Sequence, residues 1–410
     1  MLHRSNQDVE CSTSSGPVQE TAESPDAIVV GAGLIGCAIS WLLARAGRSV
    51  HLIDAGKLGG EASSAGAGML APGGEYKEPS AHAHFATESL AMYPGFVQQL
   101  ESDSGSEIDF RNCGAIELAF TAEEWWQLRR QADVQRRFGI AVDPICISAL
   151  GTLVPGLESE NLRGALFYPK ECCVDPGDLL RALRIACMRH SVKIIEGLPV
   201  QEIQLHPDRV SVRVGQCQAM ARHVVLAAGA WSSGIPITAS GTAIRIPRSL
   251  PVKGHLVGYS LPANSLRPIV RHGRYYLVQR RGGFTVAGAS SEWCQFDRSL
   301  NPQQVRAIQQ SVSAIYPILG TLEPTRMWFG FRPGIEQSGP AIGRIPGTNL
   351  WVAYGHYRNG ILLTPATAHL VASEILRCGN RTQASPPAPP ETNLVCKLMS
   401  VATISHHFRR

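Results

Sequence analysis

An unbroken apolar run from Ala27 to Val30 meets a cluster of glycines, and apolar residues then recur at helical spacing as far as Gly47. The stretch "DAIVVGAGLIGCAISWLLARAGRSVHLIDAG" predicts a buried strand, a tight turn, an apolar helix and a second strand from Ser49 to Ile53: a βαβ unit. From Met92 to Gly156 the pattern shifts to short segments around one amphipathic helix, "AEEWWQLRRQADVQRRFG". Helix and strand return in "VDPGDLLRALRIACMRHSVKII", and "HVVLAAGAWSS" reads as another buried strand ending in glycine. "HLVGYSL", "RYYLVQR" and "GFTVAGAS" alternate as antiparallel strands do, the last two joined by a short "RGG" turn. "LWVAYGHYRNGILL" predicts a strand running into a helix that opens at Asn359, with Ile361, Leu362, Ala366, Leu370 and Ala372 on its apolar face. No internal repeat is visible. The pattern is that of an α/β domain interrupted by a mostly antiparallel one and completed near the C-terminus.

Composition narrows the class. At 410 residues, 44% hydrophobic and 17% charged, the chain can bury the cores of two domains. A net charge of +5 with scattered basic residues, none interleaved with aromatics, argues against a nucleic-acid partner. No apolar run reaches membrane-spanning length. The eleven cysteines include no C-x-x-C spacing, and Cys172 and Cys173 are adjacent, which predicts reduced thiols in a cytoplasmic protein. The polar, acidic first segment has neither the apolar core of a secretory signal nor the Arg-rich character of a transit peptide. It and the Pro-rich last segment are expected to be disordered tails, residues 1–25 and 379–410.

Gly31-Ala32-Gly33-Leu34-Ile35-Gly36 directly follows a strand and opens a helix, the context in which G-x-G-x-x-G marks a dinucleotide site. Gly31 allows the turn, Gly33 lets a pyrophosphate approach the backbone, and Gly36 lets the helix pack on the sheet. Asp54 ends the next strand, where a carboxylate can accept ribose hydroxyls. The motif does not distinguish nicotinamide from flavin. Residues 59–74, "GGEASSAGAGMLAPGG", read as a backbone ribbon against a large flat ligand, with Ser63 and Ser64 offering hydroxyls to phosphate. A flexible linker is the alternative, opposed by Met69, Leu70 and Pro72. The polar cluster His356 to Asn359 sits between Gly355 and Gly360, where side-chain-free positions admit something bulky to the backbone.

The segments "AIVVGAGLIGCAISWLLARAG", "ASSAGAGMLAP", "VDPGDLLRAL", "VVLAAGAWS", "LPVKG", "FRPG" and "GHYRNGILLTPAT" occur in this order, and together they resemble the FAD-dependent D-amino-acid oxidase superfamily. The likeness runs from Asp26 to about Leu376 and lies nearest the glycine oxidases of thiamine biosynthesis. It implies a discontinuous Rossmann-like FAD-binding domain (residues 26–92, 157–240 and 328–378) and an antiparallel-sheet α+β substrate domain (residues 93–156 and 241–327). It implies FAD contacts from Gly31, Gly33, Leu34, Ile35 and Gly36 at the pyrophosphate, and from Asp54 and Ala55 at the ribose. Ala62, Ser63, Ala67, Gly68 and Met69 would line the flavin and ribityl chain, and Val174 would offer its backbone to the adenine. His356, Tyr357, Arg358, Asn359, Gly360, Ile361 and Leu362 would lie beside the pyrimidine edge.

For the substrate, the resemblance implies a small amino acid whose carboxylate meets Arg332, Arg358 and Tyr276. Their ordinary readings are a solvated turn residue, a surface ion-pair partner and a sheet-face aromatic. Gln279 and Ser291 depart from common family residues and make the pocket wall more polar. His356 is expected to contact the cofactor through its backbone, because a neutral substrate amine needs no protein base. His82 and His84 read as surface residues. No metal-ligand spacing and no G-x-S-x-G elbow is present. The implied activity is oxidation of glycine to its imine and glyoxylate, with ammonia and, with oxygen as acceptor, hydrogen peroxide. A homo-oligomer and a link to thiazole synthase are implied too. The rivals are oxidation of sarcosine, D-amino acids or proline, and a non-catalytic FAD-binding partner protein.

Overall fold

A computed structural model describes residues 24–379, so both expected tails lie almost wholly outside the described residues. A six-stranded sheet forms the centre, in the order Ala341–Arg344, Leu350–Tyr354, His223–Leu226, Ala27–Val30, Val50–Ile53, Lys193–Ile195. All its pairings are parallel except the first. Ala27–Val30 is buried at every position because both faces of the sheet are covered, which is why its sequence does not alternate. Val29 and Leu52 face the helices Leu34–Arg45, Ala81–Ser104, Pro176–Arg189 and Thr364–Gly379. Ile28, Val30 and Ile53 face a second, five-stranded sheet through Ile203, Val210 and Val212.

The other large element is an eight-stranded, mostly antiparallel sheet that includes Ser249–Ser260, Ile269–His272, Tyr275–Gln279, Phe284–Gly288 and Arg326–Ile335. The expected hairpin pairs Leu277 with Ala287 across a turn at Arg281–Gly283. One face is closed by the helix Pro302–Ile315, whose Val305, Ile308, Val312 and Ile315 form a single apolar stripe.

The sheet boundaries differ from the expected domain boundaries. Gly164–Tyr168 belongs to the antiparallel sheet, and Arg326–Ile335 pairs along its whole length with Ser249–Ser260, so Arg332 stands on that sheet. Thr242–Ala243 closes the five-stranded sheet instead of opening the substrate domain. The C-terminal helix also starts later than expected: Tyr357–Asn359 is a short 3-10 turn, and the α-helix begins at Thr364. The Leu363 amide still bonds the Asn359 carbonyl at 2.8 Å, which carries the helical spacing back to the point the sequence indicated. The nine described cysteines are unbridged, and no described helix is long and apolar enough to cross a membrane.

Candidate active site

A cavity of about 1010 Å³ lies between the central sheet and the antiparallel sheet. That is the upper end of the usual range for small-molecule and cofactor sites, roughly 300–1,000 Å³. One end is built by the first βαβ unit. Gly31 has φ +105°, a conformation that only glycine adopts without strain, and a Cβ there would press on the Ala227 carbonyl. The helix Leu34–Arg45 has no acidic residue in its first turn, so its N-terminal amides present positive potential to the cavity. A Cβ on Gly33 would stand 3.0 Å from Ser63 Oγ, which leaves backbone rather than side chain facing the space. Asp54 is held in place by the Ala32 amide (2.6 Å to Oδ2) and the Gly56 amide (2.7 Å to Oδ1), and it lines the same end.

The ribbon is a fixed element. The Trp328 indole donates to the Ala65 carbonyl (3.0 Å) and Arg280 Nη2 to the Gly66 carbonyl (3.0 Å), so strands of the antiparallel sheet pin it against the cavity. Ala62, Ser63, Ala67, Gly68 and Met69 all line the space. Ser63 accepts the Leu34 amide at 3.0 Å and so completes the helix N-terminus, whereas Ser64 is exposed and donates to the Glu61 carbonyl.

At the far end stand Tyr276, Arg332 and Arg358. Arg332 rests over Gly254, where any Cβ would collide with the guanidinium; this is the physical content of the "LPVKG" segment. Its Nη1 donates to the Ser290 carbonyl at 2.9 Å. Burial pulls the Arg332 pKa below its ordinary value, and Arg358 adds to the effect while Tyr276 opposes it. Burial pushes the Tyr276 hydroxyl up, with Arg332 and Arg358 drawing it back. Burial works most strongly against the charge on Arg358, but the Glu75 carboxylate together with Tyr276 and Tyr357 holds that pKa above the ordinary value. Arg358 Nε donates to Glu75 Oε1 at 2.9 Å, so Arg358 both pairs with an acid and faces the cavity.

Of the residues expected at the site, Gly31, Gly33, Leu34, Ile35, Asp54, Ala55 and the segment His356 to Ile361 line this cavity. Three do not. Gly36 packs under the Gly31 carbonyl, with no room for a Cβ. Leu362 is buried against the central-sheet helices, its carbonyl accepting from Ser89 Oγ at 2.7 Å. Val174 sits in a small three-stranded sheet, its amide donating to the Gly68 carbonyl at 2.9 Å. Its place beside Asp54 and Ala55 is taken by Pro199 and Val200, at the start of a strand of the five-stranded sheet. The ring of His356 points to Thr367 (Nε2 to Oγ1, 3.1 Å), and burial lowers its pKa to about 3, so it stays neutral. Glu75, Pro199 and Val200 carry no motif of their own, and only their positions after "AGML" and "EGL" mark them.

The geometry fits a dinucleotide: a backbone cradle at a helix N-terminus, a carboxylate one strand over, and a ribbon of small residues, with two arginines and a tyrosine at the far end. The DAO family, described as FAD dependent oxidoreductase, matches residues 26–374. The chain is 30% identical to the glycine oxidase of Bacillus subtilis (strain 168), over 86% of this chain and 93% of the relative. It is 31% identical to the bifunctional protein ThiO/ThiG of Synechocystis sp., over 86% of this chain and 51% of that longer protein. The crystal structure of glycine oxidase from Geobacillus kaustophilus superposes with a TM-score of 0.81 at 31% identity, covering 86% of this chain and 95% of the other. With nearly the whole described chain matched and the cofactor cradle formed by its own residues, this protein belongs to the FAD-dependent oxidoreductase family.

Proposed function

We propose that the protein is an FAD-dependent glycine oxidase that converts glycine, water and oxygen to glyoxylate, ammonia and hydrogen peroxide. The observation that carries this reading is the convergence of Arg332, Arg358 and Tyr276 at one end of the same cavity whose other end cradles a dinucleotide. Bound FAD supplies the hydride acceptor, as its chemistry does throughout this class of enzyme. The chain supplies the rest. Arg332 offers a planar fork to the substrate carboxylate, and the Tyr276 hydroxyl adds a third donor. Arg358 places positive charge beside the segment 356–361, where negative charge develops on reduction. No side chain is assigned as a base: the substrate amine enters neutral and its lone pair assists departure of the Cα hydrogen. His356, neutral and turned toward Thr367, contributes backbone only.

The product imine is short-lived in water, which favours delivery to a neighbouring enzyme. Support for thiazole synthase as that neighbour comes from the fused ThiO/ThiG relatives, in which this chain's counterpart is joined to a second protein. We place the reaction in the cytoplasm, where Cys113 and Cys173, with sulfurs 3.6 Å apart and unbridged, stay reduced. Anaerobic titration of the yellow holoenzyme tests the reading. Glycine should bleach the flavin more efficiently than sarcosine, D-alanine or proline. Bleaching by another of these amines alone moves the substrate, and bleaching by none leaves a non-catalytic flavoprotein.

A further inference from the structure

We propose that Glu75 sets the charge accepted at the substrate end of the cavity, selecting amines with one carboxylate over amines with two. The proposal rests on the glycine-oxidase reading above. Arg332 and Arg358 bring two positive charges to that end, and Glu75 removes one of them by pairing with Arg358 at 2.9 Å. The remaining single positive charge matches one substrate carboxylate. A second carboxylate on the same amine would find Arg358 already engaged and a negative neighbour facing it, an arrangement that costs affinity. Lys77, the next cation along the chain, also lines the cavity, but it is exposed to solvent, which screens its charge, and it offsets the Glu117 carboxyl that lines the same space.

Glu75 cannot easily swing away. It ends the short turn Pro72–Glu75, which is tied down on both sides. The Gly73 amide donates to Glu171 Oε1 at 2.7 Å, and Gln135 Nε2 donates to the carbonyls of Gly73 (2.7 Å) and Tyr76 (2.8 Å). The Arg271 guanidinium lies directly over Gly74, leaving no room for a Cβ.

The test compares wild-type, Glu75→Gln and Glu75→Asp holoenzymes. Glutamine keeps an oxygen for Arg358 Nε and removes the charge; aspartate keeps the charge. The ratio of kcat/KM for iminodiacetate over glycine should rise on the order of tenfold in Glu75→Gln and stay near wild type in Glu75→Asp. Sulfite, an anion that bleaches flavins, should bind on the order of tenfold more tightly to Glu75→Gln, for the same electrostatic reason. An unchanged substrate ratio in folded, FAD-loaded Glu75→Gln overturns the proposal, whatever sulfite does. If glycine fails to bleach the wild type, the functional reading falls by itself. The sulfite titration then still decides the charge assignment: tighter binding by Glu75→Gln keeps it, and unchanged binding removes it.

Discussion

Arg332 concentrates two opposing effects in one side chain. Its guanidinium is desolvated over Gly254, which disfavours the charge, and a substrate carboxylate would relieve that cost. A charge-assisted hydrogen bond of this kind contributes roughly 1.5–3 kcal/mol. Arg332→Ala should therefore lower kcat/KM for glycine by about 10–150-fold, mainly through KM. Arg332→Lys keeps the charge without the fork and should lose less. Equal KM values across the three proteins would make Arg332 a structural residue. His356 gives a prediction of a different kind. In the unfolded chain it takes up a proton near its ordinary value of 6.5, but in the fold only at about 3. The stability contributed by the neutral ring is thus present above pH 6.5 and is lost as the pH falls toward 3, by up to about 1.4 kcal/mol per pH unit. His356→Gln removes this titration, so its melting temperature should fall less steeply with acid than that of wild type. Parallel curves would show that the ring titrates normally.

At the scale of the element, the glycine turn and the ribbon act as one device, because Ser63 on the ribbon completes the N-terminus of the helix Leu34–Arg45. Gly33 has φ −73°, which any residue tolerates, so Gly33→Val should fold yet fill the phosphate approach. The expected product is a colourless protein with wild-type far-ultraviolet circular dichroism; retained FAD would mean that the cradle lies elsewhere. This end of the cavity was legible in the sequence because its signal is local: the turn, helix and acid fall within one βαβ unit. Glu75 was not, because its partner Arg358 lies 283 positions away and nothing near either residue announces the pair. The cluster of Arg271, Glu117 and Glu171 escaped sequence reading for the same reason. Arg271 bonds Glu117 at 2.7 Å and Glu171 at 2.5 Å, and through Glu171 and Gly73 it fixes the turn that carries Glu75. Burial pushes both carboxyls upward, with Arg271 opposing it. Arg271→Met leaves two buried acids without their cation and should destabilise the fold by about 3–5 kcal/mol in urea unfolding. A loss below about 1 kcal/mol would show that the acids are neutral in the fold.

On the scale of the molecule, the cavity is walled by segments from Val30 to Ile361 that approach one another only when both large sheets are in place. The strand Arg326–Ile335 shows why this arrangement was only partly readable. Its sequence, "RMWFGFRPGI", lacks a clean apolar alternation, since its middle covers the cavity ribbon while its whole length pairs with Ser249–Ser260. The expected domain boundary at residue 328 therefore cut through it. The unbroken apolar strands of the central sheet, buried on both faces, were plain by contrast. A ligand that bridges such a cavity binds the folded chain and not the unfolded one, so it must stabilise the whole assembly by mass action. Free FAD at about 100 times its Kd contributes about 2.7 kcal/mol, and each further tenfold adds about 1.4 kcal/mol. Protein stripped of FAD should accordingly melt at a lower temperature than holoenzyme, and its Tm should climb with the logarithm of added FAD. ADP, which can reach only the end formed by the glycine turn, Asp54 and Val200, should saturate at a smaller shift. Glycine should add a further increment only when FAD is present, because in the proposed site Arg332 and Tyr276 hold the substrate against a surface that the cofactor completes. A Tm that ignores FAD, or an ADP shift as large as that of FAD, would show that the two sheets are not joined through the cofactor.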